Sequence, residues 1–232
     1  MTRVERLAMA TALALGVSLG ASLFAAAPAR AQEVNLARLD DGPANRVYVR
    51  TGAEWAFVMG VGYERTASVA GHPLLLVGEL SAPWVAANTS DYQARLGVLA
   101  PILGWRRLKL AASLEPTLRG THNDLARMTG IGADAGLTGG YYAQGWFLAG
   151  ELGLDYTLST HITQSQLYRD TVYANARDGW YVNPGGNYRL GGQAGLSFSR
   201  LDVILRAGTL RDMQGNLPMF PYYATVAVAA AW

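Results

Sequence analysis

Tyr222-Tyr-Ala-Thr-Val-Ala-Val-Ala-Ala-Ala-Trp232 is the stretch whose pattern decides the fold. On an extended chain Tyr222, Ala224, Val226, Val228, Ala230 and Trp232 share one face, and Thr225, Ala227, Ala229 and Ala231 share the other. The same period of two recurs upstream. From Val47 to Tyr63, Val47, Val49, Trp55, Phe57, Met59, Val61 and Tyr63 alternate with a row holding Tyr48, Arg50, Glu54 and several glycines. The clearest case runs from Trp146 to Leu158. Trp146, Leu148, Gly150, Leu152, Leu154, Tyr156 and Leu158 form its greasy row, and Phe147, Ala149, Glu151, Gly153, Asp155, Thr157 and Ser159 form the other. A helix would bring Glu151 and Asp155 beside Leu148 and Leu152, whereas a strand keeps the rows apart.

The other end of the chain sets the compartment. Arg3 and Arg6 precede an uncharged run from Leu7 to Ala27, and Ala29-Arg30-Ala31 supplies small residues at the spacing of a signal-peptidase site. Residues 1–31 are thus expected to be a cleaved secretion signal and 32–232 the mature domain; a retained helical anchor is the competing reading. The chain has 19 basic and 17 acidic residues, and removing Arg3, Arg6, Arg30 and Glu5 leaves the two signs equal. Nothing in that balance points to nucleic acid. With no cysteine, disulfides, thiolate metal sites and cysteine nucleophiles drop out. Charged residues make up only 16% of the chain, against about a quarter in soluble proteins. Low charge without a second long apolar run suits strands with one face toward lipid.

An exported chain of alternating strands that closes on an aromatic residue resembles the bacterial outer-membrane β-barrels. That resemblance implies an all-β, transmembrane, antiparallel up-and-down barrel in the cell outer membrane. It further implies outer-membrane lipids as surroundings and the barrel-assembly machinery as a partner in biogenesis. Further strands are expected near 73–84, 91–100, 106–119, 127–141, 188–198, 201–210 and 222–232. With 47–63 and 146–158 these make nine, and an even number is required. Val34 to Leu39 is the candidate for the tenth strand, and eight strands is the alternative. A long extracellular loop is expected over 161–187, with a tight periplasmic turn at Ser199-Arg200.

On this register Glu54, Glu79, Glu115, Asp134, Glu151, Asp155 and Asp202 face the lumen together with Arg50, Arg95, Arg107, Lys109, Arg119, Arg189 and Arg206. A selective pore shows one sign in excess along its path. Seven acids against seven bases point instead to cross-lumen pairs that occlude a narrow barrel. The glycines Gly130, Gly132, Gly136, Gly191 and Gly195 on the same face allow close packing there.

Chemistry-bearing motifs are sparse. The small outer-membrane lipid A deacylases and phospholipases use a His and a Ser near a strand end on the lipid side. His161, Ser165 and, as orienting acid, Glu151 resemble that set only loosely. In those families the Ser follows the His by two positions, where this chain has Thr163, and Glu151 falls on the lumen row. His72, His122 and His161 are isolated, so neither a metal nor a cofactor is expected. The expectation is a barrel with a structural role or small-solute passage and no chemical step. A surface-binding or export-accessory role through the 161–187 loop is the other alternative.

Overall fold

The computed structural model describes residues 34–39, 42–84, 91–182, 185–218 and 221–232. Residues 1–31, expected to be a secretion signal, lie outside them. Eleven strands and two short helical turns account for most of the described chain: β1 (Asn45–Ala53), β2 (Phe57–Val69), β3 (His72–Pro83), β4 (Tyr92–Trp105), β5 (Leu108–His122), β6 (Ala126–Tyr142), β7 (Trp146–Gln164), α1 (Gln166–Thr171), β8 (Gly179–Tyr181), β9 (Gly185–Ser197), β10 (Leu201–Asp212) and β11 (Tyr222–Ala231), preceded by a 3-10 turn at Leu36–Arg38. Every pairing is antiparallel. The sheet closes through β6–β7 and β1–β11, which leaves ten strands in the wall and the three-residue β8 as an extra rung on β7. Closure removes free edges from the barrel wall and satisfies its backbone groups within the sheet.

The count of ten arises differently from the sequence expectation. Residues 47–63 are not one strand but the hairpin β1–β2, which turns at Glu54-Trp55-Ala56. Its alternation runs on unbroken because Ala53 pairs with Phe57 and Val49 with Val61. Partners in this register have the same parity, so the greasy row continues across the turn. Val34 to Leu39 is not a strand. Asn35 accepts a hydrogen bond from the Ala37 N–H, caps the 3-10 turn, and places Val34, Leu36 and Leu39 inside the barrel mouth.

One end of the barrel carries only short turns, at 70–71, 106–107, 143–145 and 198–200; the other carries 84–91, 165–178 and 213–221. Ala70 and Gly71 both have positive φ (52° and 80°), as a two-residue hairpin with right-handed strand twist requires. β6 and β7, with 17 and 19 residues, are much longer than the 9 of β1, so they rise beyond the rest of the wall at the loop end. The expected 161–187 loop is therefore shorter than its sequence span: β7 continues to Gln164, and α1 and β8 fold back on that extension.

The greasy rows point outward. Phe57, Met59, Val61, Leu80, Leu96, Leu148, Leu152, Leu190 and Leu205 are all exposed, while Arg50, Glu79, Arg189 and Arg206 are buried. An exposed apolar band of this extent is foreign to soluble monomers.

Candidate functional site

The lumen is filled in two layers of opposite character. At the short-turn end it is apolar. Val34, Leu36 and Leu39 of the N-terminal turn pack against Leu75, Val77, Leu99, Phe147 and Ile204 from the wall. Hydrogen bonds to rim groups hold the turn in place: Asn35 Nδ2 donates to the Ala143 carbonyl (2.7 Å) and Ser197 Oγ (3.0 Å), and Lys109 Nζ donates to the Leu36 carbonyl (2.6 Å). Arg38 bonds the Phe198 carbonyl at 2.9 Å and pairs with Asp202 at 3.2 Å. Lys109 and Asp202 thus serve to seat the plug.

Above it lies ionic packing. Arg50 is bidentate on Glu79, Nε and Nη2 each 2.7 Å from a carboxylate oxygen, and also bonds Glu54. Arg95 sits 3.5 Å from Glu54 and 3.8 Å from Glu79, and Tyr48 donates to Glu79 at 2.9 Å. Glu54 belongs to the β1–β2 turn, which folds inward to complete this neutral group of two arginines and two glutamates. A second group is built alike. Arg189 is bidentate on Asp134 (2.9 and 3.0 Å) and 3.9 Å from Glu151; Arg206 holds Glu151 at 2.6 Å, and Tyr223 donates to the other oxygen of Glu151.

Register explains why arginines must stand there. Glu115, Asp134 and Asp155 are direct cross-strand neighbours on β5, β6 and β7. Like charges so placed repel. Arg189 engages Asp134 and Arg119 engages Asp155, so the acidic row is compensated from neighbouring rows.

Large inward side chains sit over inward glycines. A Cβ at Gly62 would strike the Tyr48 ring, one at Gly195 the Phe147 ring, one at Gly191 the Tyr223 hydroxyl, and one at Gly153 the Arg189 guanidinium. The glycines are slots for lumen-filling groups. At Gly130, opposite Arg119, such a Cβ would meet the Thr160 hydroxyl at 3.6 Å, an ordinary contact, so that position is not a slot of this kind.

Of the residues expected in the lumen, Arg107 is not there. It occupies the β4–β5 turn, exposed, with Nη1 2.7 Å from the Tyr141 hydroxyl and its guanidinium 5.9 Å from the ring centroid. Alternation assigns a face only within a strand, and this turn ends it. Sequence reasoning put Tyr48 on the lumen row without giving it a role, and missed Tyr223, Asn35, Arg38, Arg46 and Glu64. Tyr223 shares parity with Thr225, and Arg46 and Glu64 precede or follow the greasy positions at the same end of β1 and β2, so the signal existed. Both charged residues are buried and directly opposite each other.

The set His161, Ser165 and Glu151 is not brought together. Leu158 is an extra residue on β7: Gly132 pairs with Thr157, and Ile131 with Ser159. This bulge reverses the faces beyond it, a usual effect of bulges. Ser159, expected on the lumen row, shares the outward face of Ile131, as does His161, which lies edge-on to Trp180 at 5.3 Å. Ten residues of strand, roughly 33 Å, separate His161 from Glu151. Ser165 is the N-cap of α1, accepting from the Tyr168 N–H at 3.1 Å. Nearby, the Gln164 N–H (2.8 Å) and then Arg169 (2.7 Å) bond Asp178 and hold its carboxyl below the ordinary aspartate range. Among the described residues no group of three His, Asp or Glu side chains is arranged to hold a metal.

The sequence matches no protein-family model and no curated protein. Among solved structures, the beta domain of the Bordetella autotransporter Brka aligns over 81% of this chain and 98% of its own length, at 14% identity and a TM-score of 0.36. LpxR from Salmonella typhimurium aligns over 89% of this chain and 80% of its own, at 12% identity and a TM-score of 0.31. The barrel is established by its own strand pairing.

Proposed function

We propose that this chain is an outer-membrane β-barrel with a sealed lumen, whose role is structural and whose working surface is its exterior. The apolar band supports membrane embedding, since only closed barrels and helices satisfy their backbone in hydrocarbon. The short-turn end, where Trp232 and Asn45 meet, is then periplasmic, and the end bearing α1 and β8 is external. The observation that carries the sealed reading is the combined filling of the lumen by an apolar N-terminal plug and two charge-neutral arginine–carboxylate groups. A conducting path would need water along its length and an excess of one sign, and neither suits this packing.

Planar-bilayer recording of the folded protein tests it. No unitary current steps are expected; stable open conductance at low voltage would replace the sealed reading with passage. The hydrolase alternative predicts altered lipid A or phospholipid profiles in His161→Ala and Ser165→Ala strains. Unchanged profiles are expected here, because Ser165 caps a helix and Glu151 is engaged inside the lumen.

A further inference from the structure

The two rims of the barrel differ in charge. At the loop end exposed acids and bases are mixed, with Asp124, Asp170 and Asp178 among Arg127, Arg177 and Arg211. At the short-turn end every exposed charged side chain among the described residues is an arginine: Arg65, Arg106, Arg107 and Arg200. The acids at that end, Glu64 and Asp202, are buried, and Asp202 is paired with Arg38. Asp40 and Asp41 lie outside the described residues. The arginines are spread around the circumference, on β2, the β4–β5 turn and the β9–β10 turn.

Each is set at the edge of the apolar band. Arg65 pairs with Asn45, the first residue of β1, level with Trp232. Arg106 lies over the Trp105 ring at 5.3 Å, and Arg107 over Tyr141 at 5.9 Å. Trp105, Trp146, Phe198 and Trp232 are exposed at the same level. Aromatic rings of this kind sit at the headgroup boundary, and arginines beside them reach phosphates.

We propose that the short-turn rim is a docking collar for anionic glycerophospholipid headgroups of the adjoining leaflet. The inference rests on the membrane-embedded reading. A zwitterionic headgroup offers a phosphate but cancels its charge nearby; an anionic one complements a rim whose exposed charged side chains, among the described residues, are all arginine. Each arginine close to an anionic surface strengthens its attraction by about fivefold. The ligand surface is the lipid headgroup layer rather than a soluble polymer, because the arginines flank outward aromatic residues instead of lining a pocket.

Tryptophan quenching by brominated lipids reads this directly. Trp55, Trp84 and Trp180, at the loop end, are replaced by Phe, which leaves Trp105, Trp146 and Trp232 at the collar. The full protein is reconstituted into mixtures of phosphatidylcholine and phosphatidylglycerol, with one or the other brominated. A relative binding constant several-fold in favour of phosphatidylglycerol is expected. It should fall to about one in the variant with Arg65, Arg106, Arg107 and Arg200 all changed to Gln, as electrostatic attraction to the leaflet requires. Arg127→Gln with Arg211→Gln, at the other rim, should leave it unchanged. Equal quenching by both lipids in the unsubstituted rim, or a preference that survives the fourfold change, overturns the collar. So does arginine-dependent binding to peptidoglycan sacculi without any lipid preference. Absence of quenching by both lipids is a different failure: it overturns membrane embedding and the collar with it.

Discussion

Replacing Arg50 with Met tests the ionic filling of the lumen at its most connected point. Arg50 supplies two 2.7 Å contacts to Glu79 and a further bond to Glu54. Without it, Arg95 is the cation that still faces both carboxylates, at 3.5 Å from Glu54 and 3.8 Å from Glu79, with Tyr48 also on Glu79. One pair at 3.8 Å is worth about 4 kcal/mol at an effective dielectric near 20. One cation cannot neutralise two buried anions, so a net charge stays in the lumen. Breaking a buried pair in this way costs about 3–5 kcal/mol. Glu79→Gln alone leaves an excess arginine and should cost a similar amount. The double variant leaves the neutral pair Arg95–Glu54, keeps an acceptor for Tyr48, and should lose at most about 1–2 kcal/mol, since replacing a whole buried pair is often close to neutral. The expected coupling is therefore at least about 4 kcal/mol. Urea titrations of the protein folded in vesicles, followed by tryptophan fluorescence and heat-modifiable gel mobility, give all three values. A single variant costing under about 1 kcal/mol, or strictly additive losses, would refute the view that these groups are desolvated and mutually neutralised.

Other parts of the lumen make equally definite demands. Leu36→Ala empties the centre of the plug and should cost about 2–5 kcal/mol in the same titration, with the short-turn mouth becoming reactive to a polar thiol reagent in a Leu99→Cys background. Gly62→Ala drives a methyl into the Tyr48 ring and should cost about 1–3 kcal/mol through overpacking. Acidification should loosen the α1–β8 segment. Asp178 is depressed on folding, so its contribution is complete above the ordinary aspartate pKa and is lost as pH falls through the lowered folded value. Limited proteolysis between Ser165 and Val182 should therefore accelerate only in strongly acidic buffer, and Asp178→Ala should be fast at neutral pH and indifferent to acidification.

The inward placement of Arg50, Glu79, Glu151 and Arg206 follows from the parity that carries them, and that much is legible in one dimension. Where legibility fails, the cause is geometric. The β1–β2 hairpin preserves parity, so it is invisible to a pattern of period two; the Leu158 bulge destroys parity, so Ser159 and His161 change faces without any change in composition. Arg107 keeps the right parity but has no strand to express it. The plug escapes because Val34, Leu36 and Leu39 alternate as a strand would, while the Asn35 side chain captures the Ala37 N–H and bends them into a turn.

By itself the sequence determined that alternating strands would divide greasy from polar side chains, because each strand must present two unlike faces whatever its neighbours are. Only the tertiary structure decided which charges neutralise one another. Arg189 with Asp134, or Arg206 with Glu151, joins residues 55 apart in the chain. Their meeting depends on strand order, stagger and the curvature of a closed wall, none of which a local pattern encodes.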